Sequence, residues 1–217
     1  MTIILDYSLF FEICDILGTL AFAISGLRLA AAKDFDWFGA YVVGLTTAIG
    51  GGTLRDVLLH ATPFWMTNPL YLICSAFALI WVIAFKKRLV NQEHTWFLFD
   101  AIGLGLFTVT GIERTLSMDF PYWVAIMMGT MTGAAGGVLR DVLIKETPLI
   151  FRKDIYATAC ICGGILFMLC DMAGLPREIT GVLAGIAVIG IRILAVRYHV
   201  MLPVLHIDHQ EEESNNK

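Results

Sequence analysis

The chain is poor in charged residues and has no excess of basic ones. Asp, Glu, Lys and Arg make up 16% of its 217 residues, against about 25% in a typical soluble domain. The formal net charge is −4, so the basic surface that DNA or RNA requires is not predicted, and nucleic acid is excluded as a partner. The shortage of charge also argues against an ordinary cytosolic globule and against a disordered chain, which is typically highly charged.

The sequence also lacks the motifs of the common enzyme classes. It has no G-x-G-x-x-G or Walker phosphate loop, no H-E-x-x-H and no nucleophile elbow. Its five cysteines lie in apolar runs, and none has histidine or further cysteine partners at zinc spacing. We therefore predict a protein that is not an enzyme and that binds neither a cofactor nor a resident metal.

Apolar side chains dominate what is present. Hydrophobic residues make up 58% of the chain, and the mean hydropathy is +0.75. The runs 37–54 and 120–139 carry no charge, and each is long enough to begin a membrane-spanning helix, which needs about 20 apolar residues. With the weaker runs included, the sequence predicts an all-α membrane protein of seven transmembrane helices, the third of them over about 67–85.

Basic residues are distributed unequally between alternate loops. The N-terminus and the second, fourth and sixth loops hold only two, whereas the opposite side holds ten. Because basic loops face the cytoplasm, we expect the N-terminus outside and the C-terminus inside. The first residues also lack the basic segment of a cleavable signal peptide. The basic residues on the predicted outer side are Arg114 and Arg177. Those on the predicted cytoplasmic side are Arg28, Lys33, Lys86, Lys87, Arg88, Lys145, Arg152, Lys153, Arg197 and Lys217.

The chain contains an internal repeat at an offset of 85 residues. The pattern G-G-x-L-R-D-V-L occurs at 51–58 and again at 136–143, and residues 15–80 give 20 identities in 66 positions. Each copy holds three helices, so the second copy crosses the membrane in the opposite direction, an arrangement typical of transporters. We predict a first repeat over 8–90, an inverted second repeat over 93–175, a seventh helix over 176–203 and a disordered cytoplasmic tail over 204–217.

The repeated motif combines glycines with ion pairs. Glycine costs about 1 kcal/mol against alanine in a helix interior, so helices two and five are expected to kink or partly unwind at their glycines. Hydroxyls one turn earlier and an Arg-Asp pair one turn later would border a hydrated path, with one pair at each mouth. The residues are Gly50, Gly51, Gly52, Gly136 and Gly137 at the kinks, Thr47 and Thr132 as hydroxyls, and Arg55, Asp56, Arg140 and Asp141 as charges.

Two plainer interpretations of these residues stay open. The arginines can extend to the membrane surface, with the aspartates as counter-charges. Small residues recur every four positions on both helices, and such a face can serve helix packing alone.

The doubled G-G-x-x-R-D motif, the three-plus-three repeat and the extra helix resemble the prokaryotic members of the trimeric intracellular cation (TRIC) channel family, over about residues 8–200. The resemblance implies a homotrimer in the bacterial inner membrane, with one pore per protomer for K⁺ and Na⁺. It also implies kinks at 50–52 and at Ala135, Gly136 and Gly137, with the four motif charges on the path. The Lys-Glu-Val signature of animal members is absent, so their regulation is not transferred.

A secondary transporter for a small zwitterion such as glycine is the alternative function. Related bacterial sequences have been grouped under a glycine-transporter label, and the broken helices of transporters bind substrate carboxylates at their N-terminal ends. The static features of the sequence do not separate a channel from a carrier.

Overall fold

The computed structural model describes residues 7–85 and 95–203. Apart from one isolated bridge between Asp154 and Met201, the regular structure in these ranges is helical. The predicted basic loop 86–88 and the predicted tail 204–217 lie outside the described residues. The α-helices are α1 Tyr7–Ala31, α2 Trp37–Leu58, α3 Phe64–Thr67, α4 Leu70–Ala84, α5 Thr95–Leu116, α6 Tyr122–Leu143, α7 Ala157–Met172 and α8 Arg177–Arg197, with a 3₁₀ helix at Leu149–Phe151.

Local sequence explains where the helices begin and end. The carboxylate of Asp36 accepts the backbone N–H of Gly39 at 2.7 Å and so caps the first turn of α2. The predicted third helix over 67–85 is found as α4, which begins at Leu70, and the predicted turn before it contains the four-residue α3. The two are separated because Pro69 has no N–H to donate and the Asn68 side chain accepts the N–H of Leu70 instead. The last helix ends at Arg197 rather than near Pro203.

The surface of the helix bundle is largely apolar. By length and composition, four of the described helices are able to cross a membrane, namely α1, α5, α6 and α8, and α4 and α7 are shorter apolar helices. Bulky aromatic side chains project at the first turns of α2 and α6, where Trp37, Phe38 and Trp123 are each more than 70% exposed. Exposed aromatic residues at helix ends are typical of a membrane interface.

Equivalent helices of the two repeats cross each other in antiparallel pairs. A Cβ atom on Gly18 of α1 would contact the ring of Phe107 of α5, and a Cβ atom on Gly103 of α5 would contact the ring of Phe22 of α1. The two contacts are equivalent, because Gly103 and Phe107 are the repeat counterparts of Gly18 and Phe22, 85 positions later. The rings of Phe22 and Phe107 are buried with their centroids 5.3 Å apart. The repeat in the sequence is therefore also a repeat of contacts at the centre of the bundle.

Candidate functional site

The glycines of the repeated motif lie where α2 and α6 cross. A Cβ atom on Gly51 would overlap the carbonyl oxygen of Thr132, and one on Gly136 would overlap the carbonyl oxygen of Thr47. The later residue of α2, Gly51, meets the earlier residue of α6, Thr132, and the earlier residue Thr47 meets the later residue Gly136. The two helices are therefore antiparallel. The glycines are thus required for direct backbone-to-backbone approach, which any larger side chain would prevent.

The predicted partial unwinding at these glycines is wrong for this structure. Both α2 and α6 are continuous helices of 22 residues that run through the motif. The close crossing explains this, because each helix covers the side of the other from which solvent would otherwise reach the backbone. A bend of α2 or α6 on opening of the protein stays a prediction.

The other predicted kink residues serve similar packing. A Cβ atom on Gly50 would contact the side chain of Leu139, one on Gly52 the ring of Phe64, and one on Gly137 the hydroxyl of Tyr156. Ala135 is half-buried at the edge of an apolar groove on the outer face of α6. The interpretation of these small residues as a packing surface therefore holds in this structure.

The two predicted pore hydroxyls are turned toward their own helices. Thr47 donates to the carbonyl of Val43, and Thr132 donates to the carbonyl of Met128, both at 2.6 Å. Both side chains are buried, and each packs on a glycine of the neighbouring helix. Neither threonine borders the cavity described below, and their exposure to a hydrated path stays a prediction.

Each arginine of the motif is held by the aspartate that follows it. The Nε atoms of Arg55 and Arg140 donate to Asp56 and Asp141 respectively, both at 2.9 Å. The second oxygen of each aspartate accepts the backbone N–H of the residue eight positions later, Phe64 at 2.8 Å and Leu149 at 3.1 Å. The aspartates therefore fix both the arginine and the turn that follows the helix.

The arginines do not extend to the surface. Arg55 is 4% exposed and Arg140 is fully buried, which excludes the interpretation of these residues as interfacial side chains. Each lies four residues beyond the close-packed glycine of its helix, about 6 Å along the axis. Because α2 and α6 are antiparallel, the two arginines lie on opposite sides of the crossing, and we refer to these sides as the Arg55 end and the Arg140 end.

The Arg140 end is closed. Nη1 of Arg140 donates to Asp100 of α5 and to the hydroxyl of Ser25 of α1, at 2.5 and 2.9 Å. Its guanidinium group also lies over the ring of Trp96, 5.7 Å from the centroid. One cation therefore joins α1, α5 and α6 in a buried cluster from which solvent is excluded.

The Arg55 end opens instead into a polar cavity of about 590 Å³. The residues equivalent to the closed cluster, Asp15 and Thr110, border this cavity together with Arg55, and within the described chain no ion pair joins Asp15 to Arg55. Further charged groups on the wall are two carboxylates, Glu12 and Glu113, and one guanidinium, Arg114. Glu113 is itself paired with Arg177 of α8 at 3.2 Å.

Sequence reasoning missed one residue at the closed end. Arg192 lies in the last third of α8 and is 1% exposed. Its guanidinium group is 4.9 Å from the ring centroid of Tyr156 and 5.1 Å from that of Phe97. A single arginine within an otherwise apolar helix is a signal that the sequence does contain, but it has no counterpart in the repeat.

Three comparisons relate this arrangement to known proteins. A family model described as glycine transporter matches residues 12–87 and 97–172, two ranges that begin 85 residues apart. A UPF0126 membrane protein of Vibrio cholerae is 42% identical over 207 residues, which are 92% of this chain and 84% of that protein. The UPF0126 inner membrane protein YadS of Escherichia coli K12 is 38% identical over 198 residues, with 89% and 95% covered.

The fold is also similar to that of a solved channel. The trimeric intracellular cation channel orthologue from Rhodobacter sphaeroides superposes with a TM-score of 0.83 at 34% sequence identity. The similarity covers 88% of this chain and 98% of that one. None of these relatives is described as an enzyme.

Proposed function

This chain belongs to the prokaryotic trimeric intracellular cation (TRIC) channel family, and we propose that it passes K⁺ and Na⁺ through a path within each protomer. The resemblance drawn from the doubled motif is confirmed, as is the expectation of a multi-pass protein of the inner membrane. The observation that carries the proposal is the pair of buried arginine clusters on opposite sides of one glycine crossing, one closed and one open to a polar cavity.

The charge of the cavity favours cations. Three carboxylates border it, from Glu12, Asp15 and Glu113, against the guanidinium groups of Arg55 and Arg114. Asp56 neutralises Arg55 at 2.8 Å and Arg177 neutralises Glu113 at 3.2 Å, which leaves the carboxylates of Glu12 and Asp15 against the guanidinium group of Arg114. Acidic side chains at the entrance of a pore raise the local concentration of cations and exclude anions.

A conducting state requires the centre of the bundle to open. Between the two ends lie the ring pair of Phe22 and Phe107 and the backbone contact of Gly51 with Thr132. We propose that α2 bends at Gly50–Gly52 and α6 at Ala135–Gly137, which separates the crossing and turns Thr47 and Thr132 toward the path. Glycine lowers the cost of such a bend because it resists distortion of the helix least.

The topology proposed for the membrane follows the positive residues. With seven spans and the N-terminus outside, the Arg140 end faces the cytoplasm and the Arg55 cavity faces the exterior.

The chain is proposed to assemble as a homotrimer, since the Rhodobacter relative is described as trimeric. The bilayer then covers the remaining apolar surface.

A carrier of a small zwitterion such as glycine is the second candidate. The description of the matching family model favours it, and so does a cavity that is open at one end only. Arg55 is able to bind a substrate carboxylate there, and Asp15 or Glu12 an amine. Such a site would alternate between the two ends instead of opening to both at once.

Flux into proteoliposomes tests the two candidates side by side. Purified protein is reconstituted, and uptake of ⁸⁶Rb⁺ and of radiolabelled glycine is measured in parallel with the Arg55→Ala/Arg140→Ala double variant. A channel gives Rb⁺ uptake that does not saturate and that the double variant alters, without glycine uptake. Saturable glycine uptake without Rb⁺ flux contradicts the channel, and Rb⁺ flux that is indifferent to the double variant removes the arginines from the path.

A further inference from the structure

Arg192 is a buried cation that lacks an acidic partner. Within residues 7–85 and 95–203, no carboxylate lies at ion-pair distance from it. Its Nη1 donates to the carbonyl oxygen of Ile155 at 2.8 Å, and its guanidinium group lies between the rings of Tyr156 and Phe97. Contacts of this kind hold an arginine in place without neutralising it.

The contacts of Arg192 extend to the closed Arg140 cluster. A Cβ atom on Gly137 would lie beside both the hydroxyl of Tyr156 and Nη2 of Arg140, so these two groups border the same small space. In the described chain, four buried polar atoms of this region have no hydrogen-bond partner: Oδ2 of Asp100, Nη2 of Arg140, Oη of Tyr156 and Nε of Arg192. A buried polar atom without a partner is unfavourable, so the packing of the surrounding residues must offset this cost in the closed arrangement.

The other end of the bundle has no equivalent of this arrangement. The residues 85 positions before Tyr156 and Phe97 are Tyr71 and Glu12, and both border the open cavity. No residue of α8 borders that cavity. The two ends therefore share the Arg-Asp motif but differ in the residues around it. At the Arg55 end the arginine that α8 supplies is Arg177, which is 37% exposed and paired with Glu113, whereas at the Arg140 end it is the buried Arg192, stacked on two rings.

We propose that Arg192 is the positioning residue that keeps the Arg140 end closed. By stacking on Tyr156 and Phe97 it holds the start of α7 and the start of α5 together over the Arg140–Asp100 pair. Opening of this end requires the guanidinium group to leave the two rings. The inference rests on the proposed channel function only for its electrical consequence, since closure itself is a property of the packing.

The electrical test compares substitutions on one helix. Arg192→Met keeps an unbranched apolar stem and removes the cation, and Arg197→Met removes an exposed cation five residues later as the matched control. We expect Arg192→Met to raise the open probability in planar bilayers at least about tenfold at unchanged unitary conductance, because a desolvated cation–π contact is lost at each ring. Arg197→Met is expected to leave the open probability unchanged.

A chemical test does not depend on conduction. Cys160 is fully buried one turn after the start of α7, with its Sγ near the carbonyl of Tyr156, whereas Cys162 of the same helix is exposed. In detergent, the rate of N-ethylmaleimide labelling of Cys160 relative to Cys162 is read by mass spectrometry. Arg192→Met is expected to raise this ratio about tenfold, in parallel with the open probability.

The outcomes separate the two proposals. If wild-type protein is electrically silent but Arg192→Met raises Cys160 labelling, the channel function fails and the role of Arg192 stands. If wild-type protein conducts and Arg192→Met changes neither open probability nor labelling, the role of Arg192 is contradicted. If Arg192→Met fails to fold, the same measurements are made on Arg192→Lys, which keeps the charge but not the planar stacking. Unchanged Cys160 labelling and unchanged open probability in Arg192→Lys overturn the inference.

Discussion

Gly51 packs so closely on Thr132 that a Cβ atom at position 51 would overlap the threonine's carbonyl oxygen. The same relationship joins Gly136 to Thr47 in the other repeat. Two helices in such contact have no space between them, so an ion path along α2 and α6 exists only if they separate here. If the proposed path runs along these helices, the glycine crossing is the point at which it is closed.

Alanine at either of these glycines is expected to destabilise the fold. The added methyl group meets backbone atoms that cannot move aside, an overpacking that costs about 1–3 kcal/mol. Gly190→Ala is the matched control, because a Cβ atom at that position of α8 has no neighbour within 4 Å and alanine is the better helix former by about 1 kcal/mol. Thermal denaturation in detergent is expected to show lower midpoints for Gly51→Ala and Gly136→Ala than for Gly190→Ala, and equal midpoints contradict the packing described.

The two ends are expected to respond differently to loss of their equivalent carboxylates. Asp100→Asn leaves the fully buried Arg140 with Asp141 alone, and breaking a buried ion pair costs about 3–5 kcal/mol. Asp15→Asn removes a group that borders the cavity and has no ion pair with Arg55 in the described chain, so its effect is smaller. Thermal denaturation of the two variants is the measurement, and equal losses of stability would show that the difference between the ends is not real.

The central ring pair is expected to limit ion flow. Phe22→Ala removes one of the two rings between the ends, and the space that it leaves lowers the barrier to water and ions. Phe77→Ala is the control, because this ring is 54% exposed on α4. We expect faster Rb⁺ uptake into proteoliposomes with Phe22→Ala and wild-type uptake with Phe77→Ala. Identical rates for both variants place the barrier elsewhere.

One surface ion pair predicts a pH dependence. Lys33 donates to Glu146 and so joins the turns that follow α1 and α6, and the ammonium group lowers the pKa of that carboxyl. A lowered folded-state pKa gives a stabilisation that is present above the unfolded-state pKa of about 4.3 and is lost as the pH falls through the folded-state value. The difference in midpoint between wild type and Glu146→Gln is therefore expected to be small and positive at neutral pH and to vanish in acid. A difference in midpoint that persists in acid would show that Glu146 stabilises the fold through packing instead of charge.

Sequence periodicity and the repeat predicted most of the fold but not the state of its two ends. The offset of 85 residues relates the contact of Gly51 with Thr132 to that of Gly136 with Thr47, because equivalent residues of the two repeats have equivalent neighbours. The same offset predicts equal ends, whereas Arg140 is closed in by Asp100 and Arg55 borders a cavity. That difference is set by contacts distant in the chain, Arg192 of α8 among them, and spacing within a motif contains no information about them.

Helix propensity predicts partial unwinding of α2 and α6 at their glycines, whereas both helices are continuous there. Low helix propensity is a local term of about 1 kcal/mol per residue, and the packing gained when α2 and α6 approach along Gly51 and Gly136 outweighs it. A propensity argument cannot detect this, because the second helix that stabilises the first lies 85 residues away.

The most direct test of the account is the reversal potential of currents through the purified protein in a planar bilayer under a KCl gradient. A cation channel gives discrete openings that reverse close to the potassium equilibrium potential, and replacement of K⁺ by Na⁺ on one side leaves a sizeable current. Currents that reverse near the chloride equilibrium potential contradict the acidic entrance at Glu12 and Asp15. A bilayer without openings, together with saturable glycine uptake by the same preparation, contradicts the channel itself.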